Sequence, residues 1–125
     1  MRTISVFVVG LLLAVVLGGA PVSAYNGIEL SYASVGNFTL IDQNNSEYKL
    51  SDATEEIVVV SFFFTRCPDV CPVITQNLKL VHDTLPEELE DNVGFVAITL
   101  DPKYDTPEVL AEYMARHGVD WPHLT

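Results

Sequence analysis

Basic residues are scarce in this chain. From Tyr25 onward only Lys49, Arg66, Lys79, Lys103 and Arg116 stand against all 17 acidic residues, a formal charge of −12 with histidine neutral. That balance excludes a partner bound through a phosphate backbone, so no nucleic acid is expected. It reads instead as a solvated, self-repelling surface. The carboxylates are scattered and lack the spacing of a calcium loop. At 125 residues there is room for one domain. Cysteine is scarcer still: Cys67 and Cys71 are the only two, and histidine occurs three times, as His82, His117 and His123.

What is present begins with a targeting segment. Met1-Arg2-Thr3 is a short positive start, Ile4 to Ala20 is almost unbroken in its apolar character, and Val22-Ser23-Ala24 offers small residues suited to signal peptidase. Residues 1–24 therefore read as an export signal, with an uncleaved membrane anchor as the alternative. Either way the remainder is expected outside the cytoplasm, membrane-anchored or secreted, where a cysteine pair stays reduced only with a reductant or a bound metal. Residues 25–35 read as a polar tether.

The patterning of residues 36–125 predicts an α/β domain. Phe38–Asp42 and Glu47–Ser51 flank Gln43-Asn44-Asn45-Ser46 and predict a β-hairpin. Ile57–Phe64 and Val93–Leu100 are continuously apolar, as strands buried on both faces are. Between them Ile74, Leu78, Val81 and Leu85 fall at helical spacing. Thr106 as N-cap, Pro107 at the first helical position and Gly118 as the stop delimit a second helix over 107–117. Strand, helix, strand, helix predicts a parallel βαβ unit.

The chemistry lies in Thr65-Arg66-Cys67-Pro68-Asp69-Val70-Cys71-Pro72, directly after the first buried strand. Each cysteine precedes a proline, which favours extended backbone and predicts a loop entering a helix at Pro72. Two sulfurs at this spacing can close as a disulfide or converge on a soft metal such as Cu(I), whereas Cu(II) prefers added nitrogen ligands. A helix start beside Cys71 favours its thiolate, Arg66 pushes the same way, and Asp69 opposes it. Asp101, Asp105 and Thr106 follow the second strand, at the edge where α/β sites form. A role close to the thiols or in partner docking competes there with plain capping and turn formation. Among the histidines, His82 lies too far along its helix, His117 suits a helix C-terminus, and only a flexible tail would bring His123 to the sulfurs.

The arrangement of strand, cysteine loop and helix is the thioredoxin-like plan, and the chain resembles the Sco/SenC family of copper-binding assembly factors. Phe64–Pro72, Ile98–Leu110 and Trp121-Pro122-His123-Leu124-Thr125 carry the resemblance. It implies a metallochaperone or thiol–disulfide factor for cytochrome c oxidase, with copper as Cu(I) and also Cu(II), held by Cys67 and Cys71. Asp69 and Asp101 stand close behind these ligands. It also implies two partners: the copper-bearing oxidase subunit and a thiol reductant. The family's third ligand, a histidine, lies beyond Thr125 and is not in this chain. The last strands and helix of the plan are absent too, so an incomplete domain, a fragment or truncated product, is expected. Two other readings stand beside this one, a peroxiredoxin-type peroxidase and an inactive fragment. The first is disfavoured because Thr65 sits two residues before Cys67 rather than three.

Overall fold

In the computed structural model the described residues are 34–125 together with Gly27, Ile28 and Leu30. The expected export signal or anchor, 1–24, lies outside them, as does most of the expected tether. All secondary structure among the described residues falls in the unit Val35–Thr125.

The hairpin forms where the turn-rich insert predicts it. β1 (Thr39–Ile41) pairs antiparallel with β2 (Glu47–Lys49), Thr39 opposite Lys49 and Ile41 opposite Glu47. Asp42 closes the turn, its Oδ1 accepting from the backbone N–H groups of Asn44 and Ser46, both at 2.8 Å. Asn45 takes the left-handed conformation at φ 59°, which asparagine tolerates better than most residues.

Next come β3 (Ile57–Phe63), α1 (Val70–Asp83), a single turn α2 (Glu87–Glu90), β4 (Val93–Thr99), α3 (Pro107–His117) and β5 (His123–Leu124). β3 and β4 run parallel in unbroken register from Ile57 opposite Val93 to Phe63 opposite Thr99. β5 adds to the other side of β4, Ala97 opposite His123, giving the order β3-β4-β5. Ile41 and Thr125 exchange backbone hydrogen bonds of 3.0 and 2.8 Å, so the hairpin docks on β5. Neither β5 nor α2 is visible to periodicity, being too short to repeat. β3 is the sheet's edge among the described residues, and its Val60 and Phe62 are 39% and 57% exposed.

α3 matches its expected bounds because its signals are local. The Thr106 side chain accepts from Val109 N–H, Pro107 opens the helix, and Gly118 ends it at φ 65°. α1 departs from expectation in two ways. It begins at Val70, so Pro72 is the third helical residue, still within the first turn where its missing N–H costs nothing. Its inward face is also rotated: Cys71 and Thr75 are buried and Leu78 packs on the core, while Ile74 and Val81 are exposed. The helix is apolar on two sides, and the side carrying Cys71 is the one that meets the sheet.

The core joins Phe63, Phe95 and Ala97 from the sheet to Leu110, Tyr113 and Met114 of α3, with Val119, Trp121 and both cysteines. Trp121 is a core anchor, as expected. His123 is 1% exposed, not part of a flexible tail. Its Nδ1–H donates to the Trp121 carbonyl at 2.9 Å, and its ring meets Phe63 edge-on with centroids 5.2 Å apart.

Burial holds the His123 pKa below its ordinary 6.5, an effect that the bond to Trp121 opposes. The unfolded chain therefore takes up this proton more readily than the folded one. Stability from the neutral ring is complete above pH 6.5 and is lost as pH falls towards the depressed folded value. Urea midpoints should drop between pH 7.5 and pH 5.5, and the drop should shrink in His123→Gln; equal slopes in both proteins would refute this origin.

Candidate thiol and metal site

Because β3 and β4 are parallel and in register, they end side by side, with Leu100 N–H donating to the Phe63 carbonyl at 2.8 Å. The loops that follow, 64–69 and 100–106, thus leave from one edge of the sheet, at the carboxyl ends of the strands. The first loop turns at once, Cys67 N–H donating to the Phe64 carbonyl at 3.1 Å. α1 then starts at Val70, which puts Cys71 in its first turn. Both cysteines are free thiols, 9% and 6% exposed, and the backbone N–H of Cys71 donates to Cys67 Sγ at 3.5 Å.

The two sulfurs are not equivalent. Cys67 receives a hydrogen bond from the Cys71 thiol and lies against the backbone N–H groups of Asp69, Cys71 and Val70, which together hold its pKa below the ordinary 9.0. Those amides belong to the unpaired start of α1, so the helix end acts on Cys67. Cys71 is pushed the other way, first by burial and then by its bond to Cys67. This corrects the expectation that the helix start favours Cys71. Arg66 does not act as expected either: its Nη2 pairs with Asp101 Oδ2 at 2.5 Å, and its guanidinium lies 3.9 Å from the centre of the Tyr104 ring.

Asp69 occupies the N-cap position of α1, but its side chain makes no capping bond; its contribution is the amide it directs at Cys67. Asp101 reaches the cysteine loop through Arg66, and its own N–H is held by Thr99 Oγ1 at 3.0 Å. Thr106 is the helix cap. The Asp105 backbone closes the turn, its N–H donating to the Asp101 carbonyl at 2.9 Å, but its side chain is no cap: it is fully buried and bonded to Thr65 and Thr99. Tyr113, legible only as a core residue, places its hydroxyl 2.8 Å from Thr75 Oγ1, one helical turn beyond Cys71.

No histidine joins the sulfurs among the described residues. His82 packs on Phe95 and Trp121, His117 on Tyr113, and His123 in the core. Nor do three or more His, Cys, Asp or Glu side chains among those residues form a group able to hold a metal ion. A cleft of about 130 Å³ lined by Thr65, Arg66, Tyr104, Glu112, Tyr113 and Arg116 adjoins the cysteine loop. A wider groove, lined by Tyr48, Val58, Gly94, Val96 and Pro122, involves neither cysteine and is not connected to this chemistry.

Fold and site together define a thioredoxin-like domain with a dithiol where its sheet meets its first helix. The SCO1/SenC family model matches residues 28–125, and the chain belongs to that family. An SCO2-like protein of Rickettsia prowazekii is 39% identical over 79 residues, which is 63% of this chain and 38% of that protein. The structure is similar to Bradyrhizobium japonicum ScoI, solved with copper bound, at 29% identity and a TM-score of 0.65, covering 74% of this chain and 59% of ScoI. It is also similar to BsSco, a member of the Sco family of cytochrome c oxidase assembly proteins in which a disulfide switch is identified. That match has 26% identity and a TM-score of 0.64, and covers 73% of this chain and 54% of BsSco. The chain thus spans about two fifths of the length of that Rickettsia relative and rather more than half of the two solved structures.

The inequality of the sulfurs is directly measurable. With the thiols reduced and iodoacetamide limiting at pH 7, peptide mass spectrometry should find Cys67 modified ahead of Cys71, with a reactivity midpoint below pH 9.0. Equal rates, or Cys71 first, would show that the amides do not act on Cys67.

Proposed function

We propose that this chain is a copper-delivery and thiol–disulfide factor in the assembly of the cytochrome c oxidase copper centre. One observation carries the reading: two unbridged, adjacent sulfurs, one of them accepting from a helix-start N–H, at the open edge of a thioredoxin-like sheet. The copper-bound ScoI and the assembly role of the family that includes BsSco support it. Copper is cargo here, not a resident cofactor.

Two thiolates suit Cu(I), a soft ion content with few sulfur ligands. Cys67, more easily deprotonated, is the first ligand; Cys71 loses its proton as it becomes the second. Cu(II) would need a nitrogen donor that the described residues do not bring to the sulfurs. The same pair can reduce a disulfide in the oxidase subunit. The Cys67 thiolate attacks one target sulfur, releasing the other as a thiolate that takes up a proton. Cys71 then loses its proton and attacks Cys67 Sγ, which frees the second target thiol and leaves a Cys67–Cys71 disulfide. The target gains two electrons and two protons, and a thiol reductant must restore the pair.

Residues 1–24 would deliver the domain outside the cytoplasm, as a cleaved signal or a retained anchor. The peroxidase reading gains nothing from the geometry, because the Thr65 hydroxyl donates to Asp105. Replacing the gene with Cys67→Ser or Cys71→Ser versions should lower the copper content of the purified oxidase to that of a deletion strain. Normal oxidase copper in either strain would overturn the proposal.

A further inference from the structure

Asp105 is a buried carboxylate that neither capping nor the thiol chemistry above accounts for. It is 0% exposed and lies on the loop after β4, yet its bonds run to other segments. Oδ2 accepts from the backbone N–H of Thr65 at 3.0 Å and from the Thr99 hydroxyl, and Oδ1 accepts from the Thr65 hydroxyl. All three donors are neutral. A carboxylate removed from water is tolerated only when its oxygens are fully bonded, so this geometry is narrowly specified. Thr65 takes two of the bonds, and it stands two residues before Cys67. Asp105 N–H is in turn held by the Asp101 carbonyl at 2.9 Å, and Asp101 pairs with Arg66. The loop after β4 therefore grips the cysteine loop at consecutive residues, at Thr65 through its backbone N–H and its hydroxyl and at Arg66 through its side chain.

We propose that Asp105 is the positioning residue of the dithiol: by fixing Thr65 it sets where the chain turns, and so seats Cys67 Sγ against the Cys71 N–H at the start of α1. The grip adds to the core packing of both cysteines, because few backbone bonds define this turn. Cys67 has a single backbone bond at its own N–H, to Phe64, and the Asp69 side chain leaves the helix N-cap unmade. Without an anchor at Thr65, the residues between β3 and α1 could bring Cys67 to the helix start in several ways. The Asp105 bonds select one, and the Arg66–Asp101 pair, at the surface and 57% exposed on the arginine side, is the weaker of the two clamps. Asp105 acts through Thr65 and makes no hydrogen bond to either sulfur.

The inference deepens the dithiol reading above but is tested at the thiols themselves, without copper or oxidase. The quantity to measure is the ratio of Cys67 to Cys71 alkylation by limiting iodoacetamide at pH 7, in the full reduced chain. Asp105→Asn keeps the shape and alters the acceptors; Thr65→Val removes the hydroxyl from the other side; Thr65→Ser retains it. The ratio should fall about tenfold in Asp105→Asn and in Thr65→Val, fall no further in the double variant, and stay at the wild-type value in Thr65→Ser. A wild-type ratio in both single variants, additive losses in the double variant, or an equal loss in Thr65→Ser would overturn the proposal. Should Asp105→Asn fail to fold, the contrast between valine and serine at position 65 decides alone. Cu(I) titration of the wild-type chain, scored separately, bears on the copper reading: failure to bind copper beside the expected ratios would remove that reading and leave the role of Asp105 standing.

Discussion

The parallel pairing of β3 with β4 is the constraint on which everything else depends. Because Ile57–Phe63 and Val93–Thr99 run in the same direction without a bulge, they finish level with one another. Two loops remote in sequence then emerge together. One carries Cys67 and leads into Cys71 at the start of α1, the other carries Asp101 and Asp105, and the bonds between them become possible only at this register. A slip of β3 by one residue would turn Phe63 away from α3 and carry Thr65 away from Asp105. Core packing and site geometry are thus specified by the same ladder.

The second consequence is an asymmetric thiol pair. A helix start offers a few unpaired N–H groups, and in this loop they converge on Cys67, while Cys71 is inside the first turn and faces the core. Hydrogen bonding at the helix start lowers the pKa of one sulfur, and burial raises that of the other. That division suits thiol exchange, in which attack and resolution are separate events. It suits capture of a soft cation equally, since the first ligand is available early and the second closes the site. Thiol exchange and capture of a soft cation, the two activities proposed for the pair, would therefore draw on a single arrangement.

Much of the fold was legible because its signals are local. Asp42 and the asparagines specify the hairpin turn, the β-branched and aromatic runs specify β3 and β4, and Thr106, Pro107 and Gly118 delimit α3 to the residue. What was not legible depended on tertiary contact. The inward face of α1 could not be chosen from periodicity, since Ile74 and Val81 compete with Cys71 and Thr75 for the same role. β5 is two residues long and exists only because β4 and the hairpin are there to receive it. At the site, the cysteine pair was readable from spacing and proline placement. Asp105 was not: beside a good N-cap it looks like an ordinary turn residue, and only its burial shows that it bonds elsewhere.

The central claim is that Cys67 and Cys71 alone form the metal-binding unit within the described residues. X-ray absorption on the reduced chain loaded anaerobically with one equivalent of Cu(I) tests it most directly. The account predicts one tightly held Cu(I) per chain with two sulfur ligands, lost in Cys67→Ser and in Cys71→Ser. No stoichiometric binding, or a copper environment dominated by nitrogen or oxygen ligands and unchanged in those variants, would contradict it.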